Sequence, residues 1–241
     1  MYKIYQILNK KRYIMSTTPL TLEEIYNLAF KVLRDNGCDE FNAKNVAETV
    51  TNAERDGSVS HGLFRIPGYI ASLKSNKVKK DARPSNTFLT QNAIRVEGDY
   101  GFAPSAIKVG IPALTETANK HGVGVLTITN IHHFAALWHE TEALAENDLI
   151  GIACTAYKPS VAPAGAKKPL FGTNPISFAW PRKNNTPVVY DMATSTMAMG
   201  EVQVAARDGH KVPFGTGLNK DGDKTDNPSE IANGGVLLTF G

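Results

Sequence analysis

The sequence has only two cysteines, Cys38 and Cys154, which lie far apart and lack Cys-x-x-Cys spacing. A disulfide scaffold and a zinc ribbon are therefore excluded, and both thiols are expected to be free in a reducing cytoplasm. No run approaches the ~18 apolar residues of a membrane helix, so no membrane partner is expected. Neither sign of charge dominates. The 26 basic and 23 acidic residues leave a net +3, too little for the basic face that nucleic-acid binding needs. The remainder is ordinary for a folded chain: 42% hydrophobic and 20% charged among 241 residues, enough to bury a sizeable core in one large domain or two small ones.

Several chemical motifs are also missing. No Gly-x-Gly-x-x-Gly follows a strand. Gly122-Val123-Gly124 lacks the third glycine and precedes a strand instead of opening a helix, so a Rossmann dinucleotide site is not supported. There is no Walker loop and no Gly-x-Ser-x-Gly elbow. His139-Glu140 lacks the second histidine of a zinc-protease helix, and Asp221, Asp223 and Asp226 fail the EF-hand spacing. Residues 1–20 are basic, with an apolar run broken by Lys3, Asn9, Lys10, Lys11 and Arg12. That excludes a signal peptide, and the segment is expected to be a disordered extension.

Thr21–Arg34 has capping-box spacing at Thr21 and Glu24, with Leu22, Ile25, Leu28 and Val32 on one face. Helices are further expected over 39–55, anchored by Val46 and Val50 with Phe41 near the start, and over 104–120; a third segment runs from 60 to 75, its helix weakened by Pro67 and Gly68. Beyond residue 120 the pattern changes to short strands (123–129, 149–155, 176–180, 188–190, 236–240) between helices at 135–146 and 196–207 and a polar loop at 215–228. This is an α/β protein with a mostly helical part at 21–120 and a mixed part at 121–241.

Four segments carry candidate chemistry. The first is Ser60-His61-Gly62-Leu63-Phe64-Arg65-Ile66-Pro67-Gly68-Tyr69. If helical, it sets an imidazole, a guanidinium and a phenol on one face. Arg65 is suited to a carboxylate and His61 to proton exchange near neutral pH. An ordinary surface arginine beside a hydrogen-bonded histidine fits the spacing too. The second, Asn130-Ile131-His132-His133-Phe134, leads from a strand into a helix whose backbone N–H groups suit an anion. No cysteine or carboxylate completes a metal set there, so no metal is expected. The third, Phe171-Gly172-Thr173-Asn174-Pro175, reads as a turn. The fourth, Asp191-Met192-Ala193-Thr194-Ser195, is followed by Gly200-Glu201, and Thr194 and Ser195 read as the opening of a helix.

Together, in this order, these four segments resemble the malate/L-lactate dehydrogenase family of NAD(P)-dependent oxidoreductases without a Rossmann fold, over residue 21 to the end. His132-His133-Phe134-Ala135-Ala136-Leu137-Trp138, Ala162-Pro163-Ala164-Gly165 and Lys168-Pro169-Leu170-Phe171 are most similar to its ketimine-reductase branch. The resemblance implies a mixed, largely antiparallel sheet in an NAD(P)-binding part at 121–241. It implies reduction of a cyclic 2-imino acid, piperideine-2-carboxylate or pyrroline-2-carboxylate, with NADPH (alternatively NADH), by a cytoplasmic homodimer. It makes His61 the proton donor, supported by Ser60 and Glu201, the family position at 201 often being Asp. Arg65, Tyr69 and Thr173 bind substrate. His133, Phe134, Ala135, Ala136, Leu137, Asp191, Met192, Ala193, Met199 and Gly200 line the cofactor. A 2-hydroxy-acid dehydrogenase of malate, lactate or ureidoglycolate type is the alternative within the family. Family members continue past Phe240-Gly241, so a truncated, inactive chain with a binding role is the alternative outside it.

Overall fold

The computed structural model describes residues 2–5, 17–133 and 135–240. A strand β1 (Tyr2–Tyr5) pairs antiparallel with β2 (Thr17–Leu20). Then follow α1 (Leu22–Asp35), α2 (Glu40–Arg55) and α3 (Ile66–Lys74), strands β3 (Ser85–Phe88) and β4 (Ala93–Glu97), helix α4 (Ala103–His121) and β5 (Val125–Thr129). The rest comprises α5 (Trp138–Ala145), β6 (Gly151–Cys154), β7 (Ile176–Arg182), β8 (Asn185–Met192), α6 (Met199–Asp208), β9 (Gly217–Leu218), β10 (Lys224–Thr225), α7 (Pro228–Ala232) and β11 (Val236–Leu237). Contacts divide the chain into two units of non-contiguous segments. The first holds 1–87, 96–109 and 128–133; the second holds 88–95, 110–127 and 134–241.

The first unit is helical. α1 starts with the expected capping box, in which Thr21 accepts from Glu24 N and the Glu24 carboxylate accepts from Thr21 N. Its buried stripe is Ile25, Ala29 and Leu33, one residue every four. Leu22 and Leu28 are exposed, so the expected stripe is rotated. The small Ala29 sits where α1 lies against α2, and large apolar size at Leu28 is not what selects the face. In α2, Val46 and Val50 are buried as expected, whereas Phe41 is exposed and lies under the Arg83 guanidinium at 5.9 Å. Val46 and Val50 join Ala29, Leu33, Cys38, Tyr69, Leu73, Val78 and Phe102 in one core.

Two hydrogen bonds show how β4 meets β5. Val125 N donates to Asn92 O (2.8 Å) and Gly98 N donates to Thr129 O (2.9 Å). Low numbers meet low and high meet high, so these strands run the same way, which requires a crossover such as α4 between them. β3 and β4 are not among the expected strands. All four residues of β3 are exposed, so it carries no apolar alternation, whereas β4 does alternate and buries Ile94 and Val96 on either side of exposed Arg95.

In the second unit, β6, β7 and β8 form an antiparallel sheet, with Ile152 opposite Phe178 and Phe178 opposite Tyr190. Gly151, Ser177 and Ala179 are buried on one face, where Thr141 of α5 meets Ser177 Oγ at 2.7 Å. The small residues let the helix lie close, and a Cβ at Gly151 would stand 3.0 Å from Thr141 Cα. α5 begins at Trp138 instead of Ala135. α6 begins at Met199 instead of Thr196, because Ser195 and Thr196 are drawn into contacts with Thr239, Leu238 and Thr216. Thr194 and Ser195 therefore do not open the helix. The expected loop 215–228 contains β9 and β10, which pair with each other. β11 pairs with β9 and buries Val236 and Leu237 only, leaving Phe240 exposed. The fold is thus α/β, with small sheets that are largely antiparallel.

Candidate functional site

The expected single helix over 60–75 is broken in three. Gly57, at φ +75°, ends α2. A 3₁₀ turn covers Val59–His61, Gly62 breaks it at ψ −142°, a second 3₁₀ turn covers Leu63–Arg65, and α3 follows. Pro67 sits in the first turn of α3, where its missing N–H costs nothing. His61 and Arg65 therefore end two successive turns and do not share one helical face.

The first unit still gathers them. Ser60 is fully buried, and its Oγ lies 3.0 Å from His61 Nδ1. Ser58 Oγ, which the sequence did not single out, lies 3.2 Å from the same nitrogen. Both hydroxyls lie within hydrogen-bond distance of the same ring nitrogen, and which atom donates follows the tautomer of the imidazole. Arg65 is half-buried, and its Nε is buried with no hydrogen-bond partner among the described residues. A buried guanidinium N–H without an acceptor is costly unless a ligand supplies one. Tyr69 is 4% exposed, and its hydroxyl oxygen lies 3.1 Å from His133 Nδ1.

His133 has left-handed backbone, φ +52°. Burial, then the positive charges of Arg65 and His61, push its pKa down to about 3, so its ring is neutral near pH 7. Burial likewise pushes the Tyr69 phenol up to about 12. His132 turns the other way, its Nε2 3.0 Å from Ser72 Oγ. Phe134 lies outside the described residues.

The second unit assembles a different cluster. Asp191, at the end of β8, accepts from the N–H groups of Leu137 (2.7 Å) and Trp138 (3.0 Å) and so caps the start of α5. Burial raises the Asp191 pKa. Ala136 and Leu137 are buried. Glu140, one turn into α5, is 8% exposed and its Oε2 has no hydrogen-bond partner among the described residues. Burial, with the Asp191 charge adding to it, pushes that carboxyl up to about 8. Met192 accepts a 3.3 Å contact at Sδ from Tyr190 Oη.

In the Phe171–Pro175 turn, Thr173 O accepts from Thr194 N (2.9 Å) and from Thr194 Oγ1 (3.1 Å), and Asn174 Oδ1 accepts from Tyr157 N (3.0 Å). Any side chain at Gly172 would overlap the Tyr157 carbonyl. Met199 opens α6, Gly200 is buried and Glu201 is exposed. Among the described residues no three metal-ligating side chains cluster, and no helix is long and apolar enough to cross a membrane.

The described residues form an α/β chain with small, largely antiparallel sheets, and its sequence has no glycine-rich dinucleotide fingerprint. Residues 20–241 match the family model described as malate/L-lactate dehydrogenase, and the chain belongs to that family. The Delta(1)-pyrroline-2-carboxylate/Delta(1)-piperideine-2-carboxylate reductase of Pseudomonas aeruginosa is 42% identical over 222 residues, 92% of this chain and 66% of that protein. Among solved structures, the delta1-piperideine-2-carboxylate reductase of Pseudomonas syringae pv. tomato superposes with a TM-score of 0.87 at 41% identity, covering 93% of this chain and 68% of that one. Malate dehydrogenase from Entamoeba histolytica also reaches 0.87, at 27% identity and 93% and 64% coverage. The chain spans just under two thirds of the length of the curated relatives it matches.

Proposed function

We propose that this chain serves the reduction of a cyclic 2-imino acid, of the piperideine-2-carboxylate and pyrroline-2-carboxylate type, with NADPH. The buried, acceptor-less Nε of Arg65 carries the reading, because a planar substrate carboxylate is the group that satisfies a guanidinium edge. Arg65 is assigned to that carboxylate, and Tyr69 and Thr173 are assigned to substrate from the sequence resemblance alone. His61, held at Nδ1 by Ser60 and Ser58, delivers a proton from Nε2 to the substrate nitrogen. Glu201 is assigned a supporting catalytic role from the sequence resemblance alone.

The residues fit a nicotinamide cofactor. The unpartnered, protonated carboxyl of Glu140 is a buried donor that an amide would satisfy, and Asp191 orders the backbone just before it. His133, Ala135, Ala136, Leu137, Asp191, Met192, Ala193, Met199 and Gly200 are assigned to hold the cofactor, with Phe134 as an assignment from sequence alone. When bound, that cofactor supplies the hydride. The assembly is assigned as a cytoplasmic homodimer.

The likeness to a malate dehydrogenase supports a second reading, in which His61 exchanges the proton of a 2-hydroxy or 2-oxo acid. Fluorescence titration with NADPH and NADH, then turnover of piperideine-2-carboxylate, pyrroline-2-carboxylate, malate and lactate, tests both. Cofactor binding with imino-acid turnover is expected. Turnover of the hydroxy acids alone selects the second reading, and absence of cofactor binding leaves a catalytically inactive chain.

A further inference from the structure

We propose that Glu54 is a positioning residue that sets the His61 imidazole, an inference that rests on the reading of His61 as the proton donor. Glu54 lies in the last turn of α2 and is 6% exposed. An acid there opposes the helix dipole, so the dipole of α2 does not account for it. The next segment of chain does. Glu54 Oε1 accepts from Leu63 N at 2.7 Å, and Leu63 opens the 3₁₀ turn that ends at Arg65.

The same carboxyl occupies the place where a side chain on residue 62 would stand. A Cβ built on Gly62 would overlap Oε1 and Cδ of Glu54 and lie 2.7 Å from its Cγ. Gly62 is thus packed against the Glu54 side chain, and the next residue is tied to the Glu54 carboxyl by a bond from its backbone N–H. His61 immediately precedes this anchor and Arg65 lies two residues beyond Leu63. One buried side chain from α2 therefore registers both groups against the core, and Ser58 and Ser60 finish the orientation of the ring.

The positioning is separable from folding. Glu54→Gln keeps a carbonyl oxygen at the same reach, Glu54→Asp keeps the charge but withdraws it by one methylene, and Glu54→Ala removes both. For Glu54→Ala and Glu54→Asp, kcat is expected to fall ~10- to 100-fold, the usual penalty for misplacing a reacting group by about 1 Å. NADPH affinity is expected to stay within twofold. Glu54→Gln is expected to stay within about threefold of wild type in kcat. The imidazole ¹⁵N signals of His61, assigned by difference against His61→Gln, should shift from a single-tautomer pattern toward an averaged one in the Ala and Asp variants and not in Gln.

Wild-type kcat and ¹⁵N signals in folded Glu54→Ala or Glu54→Asp overturn the proposal, even if the melting temperature drops. If neither of these folds, Gly62→Ala presses on the same carboxyl and must reproduce the ¹⁵N change, and an unchanged spectrum overturns the proposal. If wild type turns over neither an imino acid nor a hydroxy acid, the reading of His61 as the proton-exchanging group falls, while the ¹⁵N spectra still decide the role of Glu54.

Discussion

The hydroxyl oxygen of Tyr69 lies 3.1 Å from Nδ1 of His133, with the two rings edge-on at 69°. With the phenol pushed up to about 12 and the imidazole down to about 3, Tyr69 donates and His133 Nδ1 accepts at neutral pH, which leaves the His133 proton on Nε2. Tyr69→Phe removes the donor and leaves a buried acceptor unsatisfied, so a loss of about 1–3 kcal/mol is expected. Urea denaturation measures it, and an unchanged midpoint would show that the pair contributes nothing.

The same histidine sets an acid limit on stability. Its folded pKa lies below the ordinary 6.5, so the unfolded chain takes up a proton that the folded chain refuses. Stability is full above pH 6.5 and falls as pH drops toward 3. His133→Gln should flatten this limb in melting temperatures taken across that range.

Glu140 acts with the opposite sign. Its carboxyl titrates near 8, above the ordinary 4.5, so the unfolded chain loses a proton that the folded chain keeps. Its contribution is full below pH 4.5 and fades as pH rises through 8. Glu140→Gln keeps the shape without the charge and should melt higher than wild type at pH 8 to 9, with little difference at pH 5. A parallel fall of both proteins with pH would refute this.

Asp191 holds two backbone N–H groups at the start of α5. Asp191→Ala is expected to cost about 0.5–2 kcal/mol, the range for losing a helix cap. It should also weaken NADPH binding by more than it raises KM for the imino acid. Cofactor fluorescence and steady-state kinetics separate the two, and a raised KM with intact cofactor binding would move Asp191 to the substrate side.

At the proposed reaction centre, His61→Ala should lower kcat by ~10²–10⁴, the usual worth of general acid–base catalysis. Arg65→Lys keeps the charge but loses the planar fork, so KM for the acid substrate should rise with cofactor affinity unchanged. Near-normal kcat in the first variant, or equal weakening toward an analogue lacking the carboxylate in the second, would contradict these roles.

Much of the architecture was legible along the chain. The Thr21–Glu24 box starts α1, Val46 and Val50 are core, and the missing glycine fingerprint excluded a Rossmann site. These features are local or periodic, so short-range stereochemistry and burial of one face decide them. The exposed strand β3 and the tiny strands β9 and β10 carry no such period, and sheet partners from elsewhere in the chain create them. The order of motifs around His61, Thr173 and Asp191 pointed to the family before any coordinates.

The sequence alone determined which chemical groups are available: an imidazole beside serines, a guanidinium four residues on, and a carboxylate closing a strand. Tertiary structure decided how each behaves. Ser58 reaches His61 because the 3₁₀ turn over Val59–His61 brings residues three apart together, and Glu54 matters because its carboxyl fills the space beside Gly62. His133 and Glu140 titrate far from their ordinary values because folding takes them out of water. Desolvation and long-range contacts depend on what the rest of the chain places around a group, and residue spacing does not record that.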